Sequence, residues 1–227
     1  MVSERDITEE RALTARLSLQ ALHDPLTGLA NRALFDDRLS QAHARVLRQG
    51  GIGAVLLLDL NDFKGVNDTF GHLVGDQLLT AIARRLETVT RSSDTLCRFG
   101  GDEFLYLAEG LDSAEQAAQV ASRLLEALRE PFVIAGVQFD QFASIGVVVW
   151  NKSNVDSSVF IQNADVALYE AKHQGRGQYV MFTPSMQQQV ASRHTLAREL
   201  RTALTSGQLS MHYQPIVDLN SCLLYTS

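Results

Sequence analysis

Cys97-Arg98-Phe99-Gly100-Gly101-Asp102-Glu103-Phe104-Leu105-Tyr106-Leu107 reads as strand, tight turn, strand. Gly100-Gly101 tolerates the positive φ that a short hairpin between twisted strands demands. Phe104 and Tyr106, interleaved with Leu105 and Leu107, continue as a strand entering a core. Two adjacent carboxylates, Asp102 and Glu103, stand where the turn ends. Hairpin stability does not require them, and neighbouring like charges repel unless something positive lies beside them. A divalent cation meets that need, because Mg²⁺ is usually held by one or two carboxylates plus substrate phosphates. A solvated acidic hairpin with no ligand is the alternative, and the rest of the chain decides between them.

Upstream, Ala54-Val55-Leu56-Leu57-Leu58 is a continuous apolar run, the pattern of a strand buried on both faces. It ends in Asp59-Leu60-Asn61-Asp62-Phe63-Lys64, and a carboxylate at the end of a buried strand is costly unless paired or metal-bound. Asn67, Asp68, Gly71, His72, Gly75 and Asp76 follow, a polar density greater than a plain loop needs. A helix is expected from about 72 to 91, with Leu78, Leu79, Ile82, Ala83 and Leu86 on its core side. Arg91-Ser92-Ser93-Asp94 then precedes the hairpin, a spacing that ordinarily makes a local ion pair of little worth.

Before the apolar run, Asp24-Pro25-Leu26-Thr27-Gly28-Leu29-Ala30-Asn31-Arg32 reads as a turn-rich connector. Asn31 is an N-cap for a helix over about 32–49, with Leu34, Phe35, Leu39 and Val46 on its apolar side and Gly50-Gly51 at its end. Residues 3–23 read as a helix with a short stripe at Leu13, Leu17 and Ala21, either a coiled coil from an upstream domain or an amphipathic helix folded on the body. Downstream, a helix is expected over 113–129. Two strands follow, Phe132–Ile134 and Gln138–Val149, separated by a turn at Ala135-Gly136. A helix over 157–174 and a short strand, Tyr179–Phe182, complete the body. Lys172 and Arg176 are four apart and share a helix face if the helix persists that far. They either complement the helix dipole or clamp an anion. A domain boundary is expected near Thr183-Pro184. Another helix follows over 186–206, then a new strand from Leu209 to Ile216. The tail from Ser221 continues no pattern and has the look of adapter sequence.

The composition excludes several classes. At 227 residues, 45% hydrophobic and 20% charged, the chain is that of a globular protein, not a disordered one. A net charge of −6 argues against a basic nucleic-acid surface. No apolar run reaches membrane-span length, and the charged N-terminus lacks a signal-peptide core. The two cysteines, Cys97 and Cys222, make neither a metal pair nor a disulfide framework, which fits a reducing cytoplasm.

Four motifs together identify a family. DPLTGLANR at 24–32, LDLNDFKGVNDTFGHLVGD at 58–76, CRFGGDEF at 97–104 and ADVALYEAKHQGRGQY at 164–179 stand in order and at family spacing. Over about residues 22–183 the chain resembles the GGDEF domains of bacterial diguanylate cyclases. Two flanks also carry resemblance: 5–11 to the close of a PAS sensor domain, and 199–219 to the opening of an EAL phosphodiesterase domain. The expected organisation is therefore a linker helix over 1–22, a GGDEF domain over 23–183, and a linker helix with a truncated EAL start over 184–227.

The resemblance implies an α/β (α+β) fold like the palm of nucleotidyl cyclases and polymerases. Its central sheet is mostly antiparallel and flanked by helices, with an N-terminal linker helix and a C-terminal helix. It implies condensation of two GTP into cyclic di-GMP. Two metal ions per site, Mg²⁺ or Mn²⁺, are held by Asp59, the Leu60 carbonyl, Asp102 and Glu103, and Asp102 aids activation of the attacking hydroxyl. Gly100 and Gly101 let phosphate approach the backbone. Lys172 and Arg176 bind the triphosphate, with Lys64 and the backbone near Phe63. Asn67 and Asp76 read guanine, since a carboxylate accepts from the N1–H and N2–H edge. His72 lies near the base or packs at a helix start. Arg91 and Asp94 match an RxxD product-inhibition site. Asn61 departs from the second Asp common in relatives, but not at a metal position. Each domain holds one half-site, so a homodimer is expected. The alternative is a non-catalytic GTP- or cyclic di-GMP-binding module that regulates an EAL domain. A membrane or nucleic-acid partner is disfavoured.

Overall fold

The apolar run Ala54–Leu58 forms the middle of β1 (Ile52–Leu60), the central strand of a five-stranded sheet in the computed structural model. The structure describes residues 21–152, 157–206 and 208, together with 216–217 and 224–225. In chain order the body contains α1 (Arg32–Gln49), β1, α2 (Phe63–Phe70), α3 (His72–Thr88), β2 (Thr95–Gly100) and β3 (Glu103–Leu111). Then come α4 (Ala114–Ala127), β4 (Phe132–Ile134), β5 (Val137–Phe139), β6 (Ala143–Trp150), α5 (Ser158–His173) and β7 (Tyr179–Met181). The sheet order is β2-β3-β1-β6-β7. The β2–β3, β3–β1 and β1–β6 pairs are antiparallel, and β7 joins β6 in parallel. A mixed α/β fold with a mainly antiparallel sheet flanked by helices is what the motifs led one to expect.

Strand periodicity explains why β1 is apolar throughout. Ala54, Leu56 and Leu58 join Leu78 and Ile82 of α3 and Leu124 of α4 in one core. Val55 and Leu57 join Phe35 and Leu39 of α1 and Ala164 and Leu168 of α5 in the other. Alternate side chains serve opposite faces, so every position needs an apolar residue. Each such Leu, fully buried, contributes about 1.5–3 kcal/mol. Asn31 caps α1 by accepting from Leu34 N–H, and Gly50 ends the helix at φ 83°. Gly146 sets how closely α5 lies on β6: a Cβ there would stand 1.9 Å from the Ala164 carbonyl oxygen. That close approach brings the far end of α5 to the end of β1.

Several expectations need correction. Residues 63–70, where no helix was expected, form α2. Phe63, its one buried residue, joins the core that Leu78 and Leu79 of α3 line. The helix expected to reach residue 91 ends at Thr88. The single strand expected over Gln138–Val149 is two. β5 pairs with β4 in a separate two-stranded sheet, and β6 belongs to the main sheet. Between them the Gln141 amide donates to the Asn61 and Phe142 carbonyls, replacing ladder bonds with side-chain bonds. Lys172 and Arg176 do not share a helix face. α5 ends at His173, and Arg176 follows in the left-handed region at φ 56°.

A second unit, Gln188–Ser227, is described by itself. It holds most of α6 (Pro184–Thr205) and an antiparallel pair, β8 (Ile216–Val217) with β9 (Leu224–Tyr225). The helix expected over 3–23 lies outside the described residues except for 21–23, of which 21–22 are helical and His23 bridges Ala30, and the PAS-like segment 5–11 lies outside them entirely. The strand expected from Leu209 is described only at Ile216. Among the described residues no helix is long and apolar enough to cross a membrane.

Candidate active site

The end of β1 and the β2–β3 hairpin are brought together by sheet register. Asp59 is the cross-strand partner of Glu103 on one side and of Ser144 on the other. Leu60 N–H donates to the Asp102 carbonyl at 3.2 Å. The strand-end carboxylate and the hairpin pair are thus neighbours by backbone geometry. Burial holds the Asp59 carboxyl above its ordinary value, with the Asp102 charge adding and Lys172 opposing. Burial likewise raises Glu103, with the charges of Asp59 and Asp102 adding. Two carboxylates desolvated by burial, Asp59 and Glu103, with the Asp102 charge beside them create a local demand for positive charge.

Lys172 meets part of that demand, with Nζ 2.8 Å from Asp59 Oδ1. No group of three His, Cys, Asp or Glu side chains among the described residues is gathered closely enough to enclose a metal alone. The donors present are two crowded side-chain carboxylates, Asp59 and Glu103, with the neighbouring Asp102 and Leu60. An all-oxygen set of that size fits Mg²⁺ or Mn²⁺, which complete their shells with water and phosphate.

The turn itself is wired to the connector. Gly101 adopts φ 53°. Its carbonyl accepts from Arg98 Nε at 3.1 Å and Nη2 at 2.9 Å. Arg98 Nη1 reaches Asp24 Oδ1 and Oδ2 at 3.2 and 3.3 Å. Asp24 Oδ1 also accepts from Thr27 N–H at 2.9 Å and Thr27 Oγ1 at 2.6 Å. Burial would raise the Asp24 carboxyl, but these hydrogen bonds and the Arg98 charge outweigh it and hold it below its ordinary value. The connector is therefore more than turn chemistry.

Beside the hairpin opens a cavity of about 360 Å³ lined by Phe63, Lys64, Asn67, His72, Asp76, Gly101 and Asp102, together with Asp68, Leu79 and Arg98. α2 and the first turns of α3 supply most of that wall. Gly75 shapes it: a Cβ there would stand 2.0 Å from Asn67 Oδ1. Only glycine lets the Asn67 amide lie where it does. Arg176 is not part of that lining; its charge acts on Asp59, and its Nη1 lies 2.8 Å from both carboxylate oxygens of Asp62. The Asn61 amide is occupied elsewhere, accepting from Ser144 Oγ at 3.0 Å.

Arg91 and Asp94 lie apart from this group, and neither lines the cavity beside the hairpin. Asp94 N–H donates to the Arg91 carbonyl at 3.0 Å, closing a turn. No ion pair between the two side chains forms among the described residues, which overturns the local-pair reading. The Asp94 carboxylate instead accepts from Tyr106 OH at 2.7 Å and Glu109 N–H at 3.3 Å. Arg123 Nη2 donates to the same hydroxyl at 3.3 Å. Burial, then the bond to Asp94, pushes the Tyr106 phenol up to about 12. Asp94 also lines a separate cavity of about 350 Å³ with His23, Arg38 and Ser92.

Sequence reading missed Asp24, Asp62, Gly75 and Arg98 as parts of this arrangement. A glycine inside a helix was the available signal for Gly75. Nothing local announced that Asp24 and Arg98 meet across 74 residues.

A mainly antiparallel sheet carrying an acidic hairpin beside an acidic strand end, with helices on both faces, defines the class. Residues 21–178 match the family described as "Diguanylate cyclase, GGDEF domain". The chain belongs to this GGDEF family. It is 42% identical over 197 residues to the bifunctional diguanylate cyclase/cyclic di-GMP phosphodiesterase MucR of Pseudomonas aeruginosa, covering 87% of this chain and 29% of MucR. It is also 42% identical over 215 residues to the cyclic di-GMP phosphodiesterase PdeR of Escherichia coli, covering 94% of this chain and 32% of PdeR. The chain thus spans about a third of the length of these relatives. Among solved structures it is similar to the isolated GGDEF domain of TpbB (YfiN) from Pseudomonas aeruginosa, with TM-score 0.72 and 33% identity over 74% of this chain and 99% of that one. The coiled coil and GGDEF domain of DgcB from Caulobacter crescentus, in complex with c-di-GMP, matches with TM-score 0.70 and 28% identity, covering 78% and 94%.

Proposed function

We propose that this chain is a diguanylate cyclase that joins two GTP into cyclic di-GMP and pyrophosphate, working as a homodimer. Membership in the GGDEF family and similarity to cyclases support cyclic di-GMP synthesis. The observation that carries the finer reading is the cavity beside the hairpin, where Asn67, Asp76, Lys64 and Asp102 line one space. In this reading Asp76 accepts from guanine N1–H and N2–H, and Asn67 supplies the complementary amide. Adenine lacks that donor edge and would leave these acceptors unpaired, a basis for rejection. His72 lines the same cavity and borders the base.

Lys172, Arg176 and Lys64 bind the triphosphate, with the amides at the start of α2 near Phe63. Gly100 and Gly101 leave room for phosphate against the backbone. Asp59, the Leu60 carbonyl, Asp102 and Glu103 would hold two Mg²⁺ or Mn²⁺ ions. Such ions lower the pKa of a bound hydroxyl and neutralise charge on the oxygens of an in-line displacement. The 3′-oxygen of one GTP bonds to the α-phosphorus of the other, and its proton passes to solvent, with Asp102 helping to activate the hydroxyl. The bond from α-phosphorus to the bridging oxygen breaks, and pyrophosphate leaves. A second, symmetry-related step closes the ring. Each chain supplies one half-site, so two must face each other. Product binding at Arg91 and Asp94 would slow this cycle.

A second reading is favoured by relatives such as PdeR, named as a phosphodiesterase: a GGDEF domain that binds GTP or cyclic di-GMP without turnover and regulates a neighbour. One experiment separates them. The protein is incubated with Mg²⁺ and GTP, and the products are separated by chromatography. Cyclic di-GMP from the wild type and none from Glu103→Gln supports the cyclase. Tight GTP binding with no product supports the regulatory module.

A further inference from the structure

Two carboxylates near the end of β1 each hold one of the cations assigned to the triphosphate. Asp59 holds Lys172, and Asp62 holds Arg176. Asp59 has a second use in the proposed metal site; Asp62 has none. Its side chain is 79% exposed, so it packs against little. It stands at the N-cap of α2, where an Asp side chain ordinarily accepts from the first helical amides. Here it makes no capping bond. Its carboxylate turns instead to Arg176, both oxygens at 2.8 Å from one guanidinium nitrogen. Asp62 and Arg176 both occupy the left-handed region, at φ 58° and 56°, a conformation that disfavours residues other than glycine. The two backbones that carry this pair are therefore shaped to present it, and the first amides of α2 are left without a side-chain cap.

We propose that Asp62 is a positioning residue for nucleotide binding. It holds Arg176, whose charge reaches Asp59, and releases it to the nucleotide's outer phosphates. This rests on the guanine-nucleotide reading above. The carboxylate and the phosphate compete for the same guanidinium, whose Nη1 the carboxylate occupies. Removing the Asp62 charge frees Arg176 and strengthens binding of the β- and γ-phosphates alone. The competing pair is solvent-exposed and therefore weak, which limits the effect to a few-fold.

The test is Asp62→Asn, since Asn tolerates the left-handed backbone. Binding of a non-hydrolysable GTP analogue and of GMP is measured by calorimetry, alongside KM and kcat for GTP. The expected result is analogue binding about two- to fivefold tighter, GMP binding unchanged, KM lowered and kcat unchanged. In an Arg176→Gln background the same substitution has no effect on the analogue. Unchanged or weaker analogue binding in Asp62→Asn overturns the proposal. So does an equal shift for GMP and the analogue, or a gain that survives Arg176→Gln, since these mark a structural role. If the wild type binds the analogue without turning GTP over, the cyclase reading fails while the affinity ratio still decides the role of Asp62. If it binds no guanine nucleotide, both readings fall.

Discussion

Among the described residues two hairpins have two-residue links, and they have little else in common. β2 and β3 meet at Gly101-Asp102, and β4 and β5 meet at Ala135-Gly136. Each link uses the left-handed region, at Gly101 in the first and at Ala135 and Gly136 in the second. In the first hairpin β3 lies against the central strand, so its end is placed beside Asp59, and its turn carbonyl is held by Arg98. The second pairs only with itself, and its Val133 and Val137 side chains are 70% and 41% exposed. Turn chemistry makes a hairpin in either place. What lies across the sheet from the turn makes one of them a site.

Cutting the tie between the first hairpin and the body should have the largest effect on stability. Arg98 and Asp24 are 14% and 17% exposed. Arg98→Met leaves Asp24 without its cation and the Gly101 carbonyl without its donors. A loss of about 3 kcal/mol is expected, together with most of the cyclase turnover, measured by urea unfolding and product formation. Retention of both would mean that register alone holds the turn.

The same hairpin should respond to pH in two opposed ways. Glu103 has its folded pKa raised above its ordinary 4.5. Its contribution to stability is therefore present below 4.5 and lost as pH rises through the folded value. Asp24 has its folded pKa lowered below its ordinary 3.8. Its contribution is present above 3.8 and lost as pH falls through the folded value. In chelator-treated protein, Glu103→Gln should therefore gain stability over wild type as pH rises from about 4.5. Asp24→Asn should be less stable than wild type at neutral pH, with the gap closing below about 3.8. Urea midpoints across pH 3–8 check both, and Mg²⁺ should narrow the Glu103→Gln advantage by stabilising only the wild-type carboxylate.

The smallest effect belongs to the second hairpin. Ala135 occupies φ 51° at some cost, and glycine would not. Ala135→Gly should stabilise by about 1 kcal/mol or less, after the extra unfolded-state entropy of glycine is subtracted. That amounts to a rise of about 2–4 °C in Tm at most for a chain of this length. Cyclase turnover should not change. A change would show that the two hairpins are coupled.

Local periodicity carried the fold a long way. The Ala54–Leu58 run, the Asn31 cap and the alternation after Glu103 each specify an element from a few neighbouring residues, and each stands where the pattern put it. α2 did not show itself, because Phe63, Val66 and Phe70 are too short a stripe among Lys64, Asn67 and Asp68. It is a helix because Phe63 is only 5% exposed and packs in a core that α3 lines. Of the residues that the family motifs named, Phe63, Lys64, Asn67, His72, Asp76, Gly101 and Asp102 line the cavity, while Gly100, Lys172 and Arg176 do not. The motifs did not show that Gly75 makes room for Asn67, or that Arg98 holds the turn.

By itself the sequence determined the central strand β1, the cap of α1 and the acidic hairpin, because burial period and turn preference act over a few residues. Only the tertiary structure decided which charges meet. Asp24 finds Arg98 across 74 residues, and Asp62 finds Arg176 across 114. Such pairing depends on distance in space, and sheet order and the closeness of α5 to β6 set that distance. A carboxylate looks alike in sequence whether it will face solvent, a lysine or a metal; its neighbours across the fold tell them apart.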